Sequence, residues 1–409
     1  MVRSVVDLAY NVSYALRISP PHYARSILGD ANSWRARTCP PTELKLAEFD
    51  EWNKGLPALA HILIPAVPWK PPGVSIAFSD LLFRPSIVFR YPTGPHVRNP
   101  TPGEMWFFIN GICTDRNVVD LNAKYLYHLF GRPLTVLHNF TRGFLPDLAA
   151  CAVGKEWERV TESALVAFPP VYAALKDQAC ERLILLAHSQ GTILSAVILE
   201  LLKALHLPTY PRWSRGPVVG PEHAVARKLA ERWDFERTMR PARARSTRLP
   251  AFEWPGHGRR QPEPLTPKEW CKLEIYCFAN CATEMVPVKV DRRKLAPWIE
   301  SYGNDRDIVA RLGVLAKVAG PGSVSIGGDR YERQAAWGHL LNAHYLFPMM
   351  ESRRQGDPAG GLKPLKRNTF SIPRLFDYLG KNSPPPLPWA ASKGRRPTQA
   401  GRSGSGERK

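Results

Sequence analysis

The stretch Arg182-Leu-Ile-Leu-Leu-Ala-His-Ser-Gln-Gly-Thr-Ile-Leu-Ser-Ala-Val-Ile-Leu-Glu-Leu-Leu-Lys-Ala-Leu205 decides the fold. After Arg182 it runs apolar without a break to Ala187, the pattern of a short strand buried on both faces. From Thr192 to Leu205 the apolar residues continue too long for a strand and predict a buried helix. Strand, sharp turn and helix thus follow one another directly. Working outward, Met105-Trp-Phe-Phe-Ile109 before Asn110-Gly111 reads as a buried strand that ends in a tight turn. Leu134 to His138, Leu273 to Phe278 and, more weakly, Trp298 to Tyr302 read as further strands. Glu156 to Ala179 has helical spacing, with Pro169-Pro170 expected to start a new segment or kink it. Strands separated by helices predict the α/β class, with a mainly parallel sheet covered on both faces.

The chain has 409 residues, 44% of them hydrophobic and 10% aromatic, which is ample for a core. Whole-chain disorder, collagen, coiled coil and a small disulfide scaffold are thereby excluded. Its 40 prolines are about twice the usual share of roughly 5% and imply long irregular segments between core elements. The expected organisation is an extension packed on the core (1–100), the first half of the core (101–205) and a basic Pro/Arg-rich insertion (206–268). The second half of the core (269–350) and a basic flexible or disordered tail (351–409) follow.

The net charge of +20 raises nucleic-acid binding, but its distribution argues otherwise. Arg212 to Lys268 holds 13 Lys/Arg against 6 Asp/Glu, and Glu351 to Lys409 holds 13 against 4. Both stretches are rich in Pro and Gly, as in Arg240-Pro-Ala-Arg-Ala-Arg245 and Pro384-Pro-Pro-Leu-Pro388. Solvated segments are the expectation, with peripheral contact to an anionic membrane surface as the alternative. No recognised nucleic-acid motif accompanies the charge, which disfavours a nucleic-acid partner. The longest apolar candidate for a membrane span, Leu56 to Trp69, is too short and carries Pro57 and Pro65. The N-terminal apolar run is broken by Asp7 and Asn11, so a secretory signal is not expected and cytoplasm is the default compartment. Seven cysteines, at 39, 113, 151, 180, 271, 277 and 281, form no Cys-x-x-Cys pair, which argues against a disulfide framework or a zinc site.

At the strand-to-helix junction, Ala187-His188-Ser189-Gln190-Gly191 matches the Gly-x-Ser-x-Gly turn with Ala in place of the first Gly. That turn is sharp, needs small flanking residues and makes the serine project above the sheet edge. The bland alternative is that Ser189 caps the helix. A nucleophilic serine needs a base held by a carboxylate, and in this class the chain order is serine, acid, histidine. Downstream, Asn304-Asp-Arg-Asp-Ile-Val-Ala-Arg-Leu312 follows a strand, where sites collect in open α/β sheets. Asp307 is the preferred acid and Asp305 the reserve, although either could instead cap the helix near Ile308. His339, just after a glycine in Trp337-Gly-His339, is the preferred base, and His344, further into a helical stretch, is the reserve. Two N–H donors for an oxyanion are assigned to Gln190, next after the serine, and to Ile112 after the Asn110-Gly111 turn. A plain Asn-Gly turn is the alternative there.

These residues resemble the serine-hydrolase branch of the α/β-hydrolase superfamily, in particular its lipase- or esterase-like members. Phe107-Phe-Ile-Asn-Gly-Ile112, Ala187-His-Ser-Gln-Gly-Thr192, Asp307-Ile-Val-Ala-Arg-Leu312 and Trp337-Gly-His339 carry the likeness. The third is similar to the Asn-x-x-Asp-x-Val stretch that bears the acid in fungal-type triacylglycerol lipases, with Ala310 where those usually have Pro. The resemblance spans roughly residues 104–205 and 270–350 and implies hydrolysis of a small-molecule or lipid ester through an acyl-enzyme, with no cofactor and no metal. An acyltransferase using the same three residues is indistinguishable at this level, since only the acceptor differs. A non-catalytic protein that binds anionic surfaces or nucleic acid on a hydrolase-like scaffold is the reading from another class.

Overall fold

The computed structural model describes residues 25, 29, 42, 43, 87–94, 99–111, 114, 116–139, 162–205, 263–291, 294–316, 324–366, 369–382 and 384. Its centre is an eight-stranded sheet: β1 (Ile87–Tyr91), β2 (Glu104–Ile109), β3 (Leu134–His138), β4 (Arg182–His188), β5 (Leu273–Phe278), β6 (Trp298–Asn304), β7 (Asp329–Arg333) and β8 (Lys363–Pro364). The spatial order is β1-β3-β2-β4-β5-β6-β7-β8. β1 and β8 pair antiparallel at the two edges, and all other neighbours are parallel. The flanking helices are α1 (Arg116–Phe130), α2 (Glu162–Lys176), α3 (Gln190–Ala204), the short α4 (Pro267–Trp270) and α5 (Ile308–Arg311), and α6 (Phe347–Arg354). The chain is thus of mixed α/β type, with a mainly parallel sheet flanked by helices.

β4 shows why an uninterrupted apolar strand is needed. Leu183, Leu185 and Ala187 pack into the core shared with α2 and α3, while Ile184 and Leu186 pack into the core shared with α1 and α6. Both faces are therefore covered. The chain leaves β2 toward β3 on one side and reaches β4 on the other, so the sheet order reverses between β2 and β4. Loops diverge at such a point and leave a crevice outside the strand ends. The register places Ile109 beside Ala187, and His188 beside Phe278, so the ends of β2, β4 and β5 converge there.

Several expectations need correction. Residues 1–100 were expected to lie outside the sheet, yet Ile87–Tyr91 forms its edge strand. α2 runs unbroken through Pro169 and Pro170, although an interior proline costs about 3 kcal/mol. Burial of Ala164, Ala167, Phe168, Val171 and Leu175 against the sheet opposes that cost. A flexible tail from 351 is contradicted as far as Asn382: α6, β8 and the helical turns of Arg374–Lys381 pack on the core, with Leu362, Leu375, Phe376 and Tyr378 buried. The insertion at 206–262 lies outside the described residues. Its last part, from Glu263, is ordered, and Thr266 with Glu269 forms a capping box that starts α4. Among the described residues no helix is long and apolar enough to cross a membrane.

Candidate active site

Ser189 sits between the end of β4 and the start of α3 with φ of 55° and ψ of −124°, a conformation that non-glycine residues seldom adopt. The surroundings enforce it. The Ser189 N–H donates to Phe278 O at 2.9 Å, and its own carbonyl accepts the Thr192 hydroxyl at 2.6 Å. Thr192 Oγ1 in turn accepts the Cys281 N–H, which ties the turn to the loop after β5. Gly191 is required here because a Cβ would lie 2.4 Å from Ile109 O. The Ser189 side chain makes no cap hydrogen bond to α3. It is aimed elsewhere.

Its Oγ lies 2.9 Å from His339 Nε2, and His339 Nδ1 lies 2.8 Å from Asp307 Oδ2. With Nδ1–H donating to the carboxylate, Nε2 carries the lone pair that accepts the serine hydroxyl. Ser189, Asp307 and His339 come from the loops after β4, β6 and β7 respectively, all at the carboxyl end of the sheet. Asp307 also caps α5: Oδ1 accepts the Val309 N–H at 2.8 Å while Oδ2 faces the imidazole. Asp305 is not part of this chain; it pairs with Arg311 at 2.7 Å. His344 is not either. Its Nδ1 accepts the Leu340 N–H at 3.0 Å, and its ring lies so close beneath Gly338 that a Cβ there would clash at 2.4 Å.

His188 lies beside His339, with ring centroids 4.7 Å apart, and donates from Nε2 to the His339 carbonyl at 2.8 Å. Burial, then the neighbouring His339 and His344, hold its pKa well below the ordinary value, so it stays neutral and adds no competing positive charge.

The other side of Ser189 is built by close packing. Gln190 opens α3, so its N–H has no carbonyl of its own helix to bond. Gly111 lies against the serine: a Cβ there would be 2.7 Å from Ser189 Cβ. Asn110 is buried and is stitched to the end of β3, its Oδ1 accepting the Asn139 N–H at 2.8 Å and its Nδ2 donating to Asn139 O at 3.0 Å. This goes beyond a plain Asn-Gly turn. Ile112, the other expected donor, lies outside the described residues. Among the described residues no group of three or more His, Cys, Asp or Glu side chains is arranged to hold a metal ion.

Three residues to which the sequence reading gave no role of their own belong to this arrangement. Tyr345 donates its hydroxyl to Asp307 Oδ2 at 2.6 Å; burial first, and then the Asp307 charge, push its pKa well up, so it keeps its proton. Asn139 donates to Gln190 Oε1 at 2.5 Å and accepts the Ser163 hydroxyl, which fixes the residue after Ser189. Asn304 donates to the carbonyls of Gly338 and His344 and so ties the end of β6 to the histidine loop. No sequence signal marks Asn139; Asn304 is the Asn of the Asn-x-x-Asp-x-Val stretch that points to Asp307, and Tyr345 could be sought as a polar tip on an otherwise apolar helical stretch. Comparison with protein-family models, with curated proteins and with solved structures gives no match to the chain.

Proposed function

We propose that the protein is a serine hydrolase of carboxylic esters, lipase- or esterase-like, built on the α/β-hydrolase fold. The observation that carries this reading is the continuous proton path from Ser189 Oγ through His339 Nε2 and Nδ1 to Asp307, at 2.9 and 2.8 Å. The fold assignment is supported by the sheet order, by the reversed edge strand β1 beside β3, and by the placement of serine, acid and histidine after β4, β6 and β7. The non-catalytic scaffold reading has no comparable support, because it leaves this alignment without a use.

In the proposed reaction His339 Nε2 takes the Ser189 proton as Oγ bonds to the ester carbonyl carbon. The carbonyl oxygen becomes an oxyanion facing the Gln190 N–H and the turn at Asn110-Gly111. The imidazolium, stabilised by Asp307, gives its proton to the departing alkoxide as the C–O bond breaks. A water molecule then loses a proton to His339, attacks the acyl carbon and releases the acid, restoring Ser189. A small-molecule or lipid ester fits this chemistry, and the basic runs outside the described core support contact with an anionic surface. The free thiols of Cys180, Cys271, Cys277 and Cys281 support a reducing compartment such as the cytoplasm. Turnover of a short acyl ester tests the proposal: Ser189→Ala is expected to abolish it while the protein stays folded, and undiminished turnover would falsify the assignment.

A further inference from the structure

A helix that starts inside a protein presents N–H groups that something must bond. The helical stretch after His339 begins as a single π-type turn, Leu341–Leu346, and continues directly into α6. Leu340 occupies its N-cap position and has no side-chain oxygen to offer. The missing acceptor comes from the far end of the chain. Glu43, only 2% exposed, takes the Asn342 N–H on Oε1 at 2.9 Å and the Ala343 N–H on Oε2 at 3.0 Å.

Such a carboxylate is expensive to bury. Burial pushes the Glu43 carboxyl up from its usual range, opposed by the backbone N–H groups of Asn342, Glu43 itself and Ala343, and then by His339. A serine or aspartate at position 340 would cap the same N–H groups without taking a distant charge out of water. Both carboxyl oxygens are engaged as acceptors. What the distant acid adds is its anchorage of the backbone just beyond His339.

We propose that Glu43 is a positioning residue of the active site: it clamps the backbone that follows His339 and so keeps the imidazole in line with Ser189. The inference rests on the reading of Ser189 as nucleophile. It makes Glu43, distant along the chain, a working part of the site. The other groups facing His339 are Asp307 at Nδ1, Ser189 at Nε2, His188 across the ring, His344 below the loop and Tyr345 through Asp307. His188 is held neutral and Tyr345 protonated, which leaves Asp307 as the carboxyl group bonded to the imidazole.

The test uses the full-length chain, a short acyl ester, and a fluorophosphonate probe that counts reactive serine sites. Glu43→Gln, which keeps the shape and removes one acceptor oxygen, is expected to lower kcat per labelled site about tenfold or more, with KM within about twofold. Glu43→Asp keeps both acceptors but shortens the reach, so it also lowers kcat per site. A residue that served only folding would reduce the number of labelled sites and the melting temperature while kcat per site stayed unchanged; that result overturns the proposal. Should Glu43→Gln not fold, Glu43→Asp decides alone: a lower kcat per site supports the proposal and an unchanged one overturns it. Absence of labelling in the unaltered chain removes the nucleophile and this inference together, whereas equal behaviour of labelled wild type and variants removes this inference only.

Discussion

The two ends of the central sheet both bury carboxylates, and they treat them in opposite ways. At the amino-terminal end, Glu104, Glu274 and Glu300 lie inside the molecule on β2, β5 and β6. Arg374 grips both oxygens of Glu274 at 3.1 Å, Tyr276 and Tyr378 donate to the same group, Arg132 bonds Glu104, and Glu300 accepts two backbone N–H groups and the Tyr302 hydroxyl. Permanent cations and hydroxyls lock these charges in place. At the carboxyl-terminal end, Asp307 faces an imidazole, whose proton can leave, and the imidazole faces a strained serine. The teaching is that a buried acid paired to guanidinium fastens one segment to another, here Arg374–Lys381 to the sheet, whereas a buried acid paired to histidine holds a proton that can move.

The largest expected contrast comes from Asp307→Asn, which keeps the size of the side chain but removes the charge that orients the base. It is expected to lower kcat by about ten-thousandfold with a small change in melting temperature, read by steady-state kinetics and thermal unfolding. Arg374→Met should do the reverse. It leaves Glu274 buried without its guanidinium and should cost about 3–5 kcal/mol in chemical denaturation, with kcat per labelled site unchanged. Should Arg374→Met instead abolish chemistry in folded protein, the division between the two ends fails.

Tyr345→Phe sharpens the comparison further, since it removes one donor to Asp307 and leaves the histidine contact. kcat/KM is expected to fall roughly tenfold, the scale of one hydrogen bond to a charged group. The smallest effect concerns His188. Because its pKa in the folded chain is depressed below the ordinary 6.5, its stability contribution is whole above about that pH and is lost as pH falls from there toward the depressed value. A melting temperature that declines on acidification through this window, and declines less in His188→Asn, is the expected outcome.

Much of this contrast was legible in the chain before any coordinates. Ala187-His188-Ser189-Gln190-Gly191 announces itself because the turn tolerates only small flanks, and chain order then leads to Asp307 and His339. The amino-terminal end was illegible for a physical reason: Arg374 sits in a run that reads as solvated charge, and its partner Glu274 lies 100 residues away. β7, Asp329-Arg-Tyr-Glu-Arg333, carries no apolar alternation because only Tyr331 is buried, and its pairing with β6 holds it in place. Glu43 and Asn139 act across long separations, through contacts to backbone or to another amide, and so leave no local pattern. Pro169-Pro170 misled because local cost was outweighed by tertiary burial.

The most direct test is to expose the folded protein to a fluorophosphonate and locate the adduct by peptide mass spectrometry, in the unaltered chain and in His339→Ala. The account predicts one adduct, on Ser189, formed quickly in the first and scarcely at all in the second. An adduct on another serine, or labelling of Ser189 that proceeds as fast without the imidazole, would contradict it.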